Sequence, residues 1–235
     1  MNRFVLPFPV APGKTDADAR SIAAYFKSHP AEYHASRARH GVSLERAYLQ
    51  PTPMGSVVIS YAEMEGTFAE WAMSLLASDL DIDRRSISMV ADIHGVDLRQ
   101  PMAGPPPETV GQWSDPDVTA RRRGIAFVAP LLPGKDDEGR AFCREAFTER
   151  VDEFSASRRA IGESVEVVTL SVTPMGSLVC GYLEGDDPVA ANADFAASTR
   201  PFDVWFKGRL EGIFPPSIDF GKPLPPIEEL FDSLA

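Results

Sequence analysis

Positive charge is scarce in this chain: 23 Lys and Arg stand against 34 Asp and Glu, giving a formal charge of -11 and a pI near 4.8. Affinity for phosphate backbones comes mainly from clustered cations that release counterions. Nucleic acids and anionic membranes are therefore not expected partners. Cysteine is scarcer still, with only Cys143 and Cys180 present, too few to suggest a disulfide framework. No apolar run approaches the ~20 residues of a membrane span. The opening MNRFVLPFPVAPGK is broken by prolines and lacks a small-residue cleavage site, so the expected location is cytoplasmic. Phosphate-binding, hydrolase and metal motifs are missing as well. There is no GxGxxG after a strand, no GxxxxGK[ST], no GxSxG, no CxxC and no HxxxH or HxH pairing, so neither a metal nor a cofactor is expected.

What the chain does have is an internal repeat. TPMGS at Thr52 to Ser56 returns at Thr173 to Ser177, 121 residues later, and at that offset the match runs without a gap from Pro9/Pro130 to Glu63/Glu184. Pro12-Gly13-Lys14 meets Pro133-Gly134-Lys135, and Ala35-Ser36-Arg37 meets Ala156-Ser157-Arg158. A duplicated and fused unit is the simplest origin. The repeats are expected over 1–99 and 124–235, with 100–123, rich in proline and glycine, as a linker.

Within each repeat a short apolar run (Phe4 to Val10; Ile125 to Leu132) leads into a PGK turn, as a buried strand does. Cys143, Phe147, Val151 and Phe154 then recur at helical spacing and predict one helix of about five turns. The equivalent stripe in repeat 1 contains Pro30, which is expected to split that helix and restart it with proline in its first turn. Gly41 and Gly162 suit left-handed helix C-termini. Two strands joined by TPMGS form a β-hairpin, in which glycine supplies a positive φ. Helices around Thr67 to Ala77 and Asp83 to Ile93, their counterparts in repeat 2, and a short final strand complete each unit. The order β, α, β, β, α, β is ferredoxin-like, and the fold class is α+β.

ASRRAIG, TPMGSLVCGYLEGDDP, STRPFDVWFKGRLEGI and PLPPIEELFD resemble an uncharacterised bacterial family in the dimeric α/β-barrel superfamily. Its relatives include antibiotic-biosynthesis monooxygenases, lactone isomerases, haem-degrading oxygenases and stress-response barrels. The resemblance implies an intramolecular barrel of two ferredoxin-like repeats, either monomeric with a pseudo-two-fold axis or further assembled as a homodimer.

Candidate site residues follow from stripes and strand alternation. Arg37 and Arg158 extend buried helical stripes and need carboxylate partners, from Glu63/Glu184 or Glu45/Glu166. They read either as anion clamps for a substrate or as ion pairs tying helix to sheet. Tyr61 and Tyr182 share a strand face with Glu63 and Glu184, an arrangement suited to acid-base chemistry or simply to a satisfied core. Repeat 1 alone carries His34, Tyr48, Gln50, Trp71 and His94, where repeat 2 has Ser155, Thr169, Ser171, Ala191 and Phe214. His34 and His94 are the candidate bases beside Tyr61, and Trp205 is a candidate lining residue of repeat 2. His40, next to Arg39, is expected to be exposed. Asp83 and Asp203 are expected as helix N-terminal caps. Fold analogy together with this polar set predicts a barrel that binds a small apolar or aromatic metabolite. Its expected chemistry is a cofactor-independent monooxygenase or isomerase reaction. The alternatives are a non-enzymatic ligand-binding or interaction module, and a haem-binding barrel using His94 or His34.

Overall fold

The computed structural model describes residues 1–100, 104–173 and 176–235. They fold as two compact units, Met1–Pro106 with Ile227–Ala235, and Pro107–Pro226.

Unit 1 is built from β1 (Asn2–Pro9), α1 (Asp16–Ser28), α2 (Pro30–Arg39), β2 (Val42–Thr52), β3 (Gly55–Met64), α3 (Phe68–Leu76) and α4 (Asp81–His94). Its termini follow local chemistry. Thr15 and Asp18 form a capping box at the start of α1, and Thr67 and Glu70 form another at α3, each satisfying amides that the first helical turn leaves open. Pro30 is the first residue of α2, so the helix restarts at proline as the sequence predicts. Gly41 takes a φ of 69°, the left-handed stop expected after α2. In the TPMGS hairpin Thr52 pairs with Gly55, Gly55 adopts a φ of 115°, and the Thr52 hydroxyl donates to the Gly55 carbonyl at 2.6 Å.

Unit 2 contains β4 (Glu108–Ser114), β5 (Arg123–Pro130), α5 (Asp136–Arg144), α6 (Val151–Ala160), β6 (Glu163–Thr173), β7 (Gly176–Gly185), α7 (Pro188–Ala197) and α8 (Pro201–Glu211). The single long helix expected here is interrupted by a π-helical turn at Glu145–Glu149, closed by the Arg150 amide on the Glu145 carbonyl at 2.9 Å. Arg150 aligns with His29, the residue before Pro30. Both units therefore break the helix at one place, unit 1 with proline and unit 2 with a widened turn. Gly162 and Gly176 take φ of 79° and 125°. Residues 174 and 175, at the tip of the second hairpin, lie outside the described residues.

Each unit has one four-stranded antiparallel sheet, ordered β1-β3-β2-β8 and β4-β6-β7-β5, where β8 is Glu228–Asp232. The segment 100–123, expected as linker, thus holds strand β4, and residues 227–235, assigned to the second repeat, complete the first sheet. An extended ETVGQWS must pair its backbone groups, and the open edge of β6 accepts it. In unit 1 the helices pack Ala19, Ala23, Phe26, Tyr33 and Ile82 over one face of the sheet. In unit 2 the corresponding core is richer in rings, with Phe142, Phe147, Phe154, Phe202 and Phe206 together.

Candidate functional site

A cavity of about 120 Å³ lies in unit 1, enclosed by the sheet and by residues of α1, α3 and α4. Strand alternation decides which residues reach it. Leu6 and Phe8 of β1, Glu45 and Ala47 of β2, and Val58, Ser60, Ala62 and Met64 of β3 line it. Their neighbours on the strands point to the opposite face. Tyr48 pairs with Ile59 and Arg46 with Tyr61 on that far side, so Tyr48, Gln50 and Tyr61, although buried, are not in the cavity wall. The expected grouping of Tyr61 with the histidines is corrected accordingly: the Tyr61 hydroxyl donates to Glu63 at 2.5 Å. His34 is corrected too. Its neighbour Tyr33 is buried, while His34 itself, one position around the helix, is exposed.

Three predicted residues do meet at the cavity: Arg37, Trp71 and His94. His94, the last residue of α4, is 8% exposed, and its Nδ1 donates to the Pro9 carbonyl at 3.0 Å. That bond fixes the tautomer, leaving Nε2 as the basic nitrogen. Burial is the largest influence on the ring and holds its pKa below the ordinary value, against the pull of the Pro9 and Phe8 carbonyls. Phe8 packs against it with centroids 5.7 Å apart. The indole Nε1–H of Trp71 is buried and meets no hydrogen-bond partner among the described residues. A buried donor without a partner is costly, and Trp71 is one of the residues that line the apolar cavity.

Arg37 is engaged elsewhere. Its Nε donates to Glu45 at 2.6 Å and Nη1 to Ser36 at 3.0 Å. Its guanidinium lies 4.6 Å from the Tyr33 ring centroid and 5.1 Å from that of Phe26, and the Tyr33 hydroxyl also donates to Glu45, at 2.9 Å. Burial is the largest single influence and opposes the charge on Arg37, but Glu45 and Tyr33 together outweigh it and raise the pKa. This geometry is that of an ion pair tying helix to sheet. Unit 2 repeats it with Arg158 Nε on Glu166 at 2.5 Å.

The buried network continues through residues that the sequence misplaced. Asp83 is not a helix cap. Its side chain accepts from Ser36 and Ser78, both at 2.5 Å, and from His40 at 2.9 Å. His40 is buried rather than exposed, because Ser74 engages its other ring nitrogen at 2.7 Å. Asp203 repeats the role of Asp83 with Ser157, Ser198 and Arg200. Tyr182 bonds Glu184 at 2.8 Å. Trp205 is half-buried beneath Arg150, whose guanidinium sits 3.9 Å from a ring centroid. Cys143 and Cys180 are buried free thiols, standing where repeat 1 has Ile22 and Ile59.

Unit 2 adds a carboxylate where unit 1 has Val42. Glu163 is 4% exposed, its Oε2 has no hydrogen bond among the described residues, and the nearest cation is Arg158 at 3.4 Å. Burial pushes its carboxyl up to about 8, with Glu166 and Asp203 adding to the shift and Arg158 opposing it. The folded pKa lies above the unfolded one, so the stability tied to the bound proton is complete at acid pH and is lost as pH rises toward about 8. Glu163→Gln keeps the shape without the titration. It is expected to be more stable than wild type, by a margin that widens between pH 5 and 8 to on the order of 1 kcal/mol or more. Thermal unfolding at the two pH values checks this, and a margin that does not depend on pH contradicts it.

No protein-family model matches this sequence, nor does any curated protein. Among solved structures, an anthrone oxidase-like protein aligns over 99% of this chain and 94% of its own with a TM-score of 0.51 at 11% identity. A "putative monooxygenase" from Lactobacillus acidophilus NCFM aligns over 99% of this chain and 95% of its own with a TM-score of 0.52 at 11% identity. At such identities the likeness establishes the fold, and over its whole length the chain has the ferredoxin-like, dimeric α/β-barrel fold.

Proposed function

We propose that the unit 1 cavity binds a small aromatic metabolite bearing an oxygen substituent, and that His94 removes a proton from it in a cofactor-independent oxygenation. The observation that carries this reading is a desolvated, tautomer-fixed imidazole and an indole whose N–H has no partner among the described residues, both on residues that line one cavity. A base held neutral at physiological pH suits proton abstraction. A donor without a protein partner suits a carbonyl or phenolate oxygen, whose developing negative charge it stabilises. The cavity's roughly 120 Å³ is on the scale of the ~150 Å³ apolar cavity that holds benzene, room for one ring such as one end of a larger ring system. A porphyrin is several times larger, and His34 lies outside the cavity, so the residues do not fit haem.

The chemistry balances with dioxygen as the second substrate. His94 Nε2 takes a proton from an activated carbon, the resulting enolate is oxidised by dioxygen, one oxygen atom remains on that carbon as a ketone, and the other leaves as water. The names of the two structural neighbours, an anthrone oxidase-like protein and a monooxygenase, agree with a substrate of this kind. Isomerisation would use the same abstraction but return the proton to another carbon without oxygen uptake.

An oxygen electrode with anthrone as substrate and no added cofactor tests the proposal. One dioxygen consumed per anthrone, at a rate proportional to protein, is expected; substrate loss without oxygen uptake points to isomerisation, and no substrate loss contradicts the proposal. Because burial holds His94 below its ordinary pKa, the rate is expected to be flat through neutrality and to fall tenfold per pH unit only well below pH ~6.5. A limb centred above neutrality contradicts His94 as the base.

A further inference from the structure

Unit 2 contains its own cavity of about 80 Å³ on the helix side of its sheet, and its chemistry differs from that of unit 1. The wall includes the rings of Phe127, Phe142, Phe147, Phe206, Phe214 and Phe220. Two glycines make room for them. A Cβ at Gly181 would overlap the Phe127 ring directly across the strand pair, and a Cβ at Gly111 would lie 2.7 Å from Phe147. The polar groups of the unit 1 cavity are gone. Ser60, Trp71 and His94 are matched by Gly181, Ala191 and Phe214. Glu166 borders the space but already accepts from Arg158, and burial pushes the Cys143 thiol up to about 12, keeping it neutral.

An apolar void costs stability in proportion to its volume, stays dry, and accepts apolar ligands of matching size. Rings favour ring edges and offset faces as partners. At roughly 80 Å³ the cavity is partly open and smaller than the ~150 Å³ enclosed apolar cavity that holds benzene, which limits its ligand to a single ring. An anion would meet the Glu166 carboxylate, and a cation would lose its hydration without gaining a free counter-charge. We propose that the unit 2 cavity is a separate binding site for a neutral, single-ring aromatic compound, which it holds without performing chemistry on it. This site does not depend on the reaction proposed for unit 1.

The test uses the full chain with labelled methyl groups, benzene as probe and benzoate as its charged counterpart. Saturable shifts of the Leu131, Leu210 and Ile213 methyls with benzene are expected, with at least tenfold weaker response to benzoate. Gly139→Leu should fill the site. Gly139 lies within α5 at a cavity-lining position, and a Cβ there would be 3.7 Å from Leu131 and 3.9 Å from Ile213. Leucine also favours the helix. Benzene binding at these methyls should fall at least tenfold in this variant while the Trp71 indole signal keeps its wild-type position. Gly139→Ala, a smaller change, should give an intermediate loss and serves if leucine prevents folding. Absence of benzene shifts at the limit of its solubility, equal binding of benzoate, or undiminished binding in the folded variants would overturn the proposal.

Discussion

Replacing His94 with asparagine is expected to lower oxygen uptake with anthrone by about 10²- to 10⁴-fold, the usual contribution of a positioned general base. The side-chain amide can still donate to the Pro9 carbonyl, which His94 reaches at 3.0 Å. Loss of activity is therefore separable from loss of fold. The loss should fall on kcat with KM little changed, because asparagine removes the proton acceptor at the Nε2 position while keeping the bond to Pro9. Steady-state kinetics on the folded variant decide the matter. Activity within a few-fold of wild type would mean that His94 is a satisfied core residue.

Arg158→Met is expected to destabilise unit 2 by about 3–5 kcal/mol, the cost of removing one partner of a buried ion pair. Arg158 is 3% exposed. Around it stand Glu166 at 2.5 Å and Glu163 at 3.4 Å, with the rings of Phe154, Phe195 and Phe206 at 4.4, 4.7 and 4.8 Å from its guanidinium carbon. Methionine keeps much of the ring packing and abandons the carboxylates. The added replacement Glu166→Gln should recover part of the loss, since the penalty comes from uncompensated charge on the direct partner. Urea unfolding measures both effects. A loss under 1 kcal/mol from Arg158→Met alone contradicts a structural role for the pair.

Local grammar made much of the fold legible. Pro30 announces a helix restart, and Gly41 and Gly55 the positive φ of their turns, because each acts within a few residues of itself. The ion pairs Arg37–Glu45 and Arg158–Glu166 were likewise half-visible, since a cation on an apolar helical stripe demands a partner. What could not be read was the direction of a face. Alternation along β2 and β3 says that Tyr48 and Tyr61 share a side, but both sides of these strands are apolar, so nothing local tells which side the helices cover. That is why Tyr48, Gln50 and Tyr61 were grouped with His94, when the cavity takes Ala47, Ser60 and Ala62 instead. His40 failed for a related reason. Its charged neighbour Arg39 suggests solvent, while its partner Asp83 lies 43 residues away. Strand β4 was hidden by the prolines that precede it, Pro105 to Pro107, and by its pairing with β6, whose residues come much later in the chain. Trp71 stood out only as an aromatic absent from the second repeat, and its unsatisfied indole emerges only with the packing around it.

The unit 1 cavity as the working site is tested most directly by the indole ¹H–¹⁵N signals. The chain has three tryptophans: Trp113 donates to Ser155 at 2.8 Å, Trp205 lies under Arg150 in unit 2, and Trp71 lines the unit 1 cavity, its indole N–H without a partner among the described residues. Titration with anthrone under anaerobic conditions should move the Trp71 signal downfield, as its N–H gains an acceptor, while the other two stay in place. An unmoved Trp71 signal at saturating anthrone, or movement confined to Trp113 and Trp205, contradicts the account.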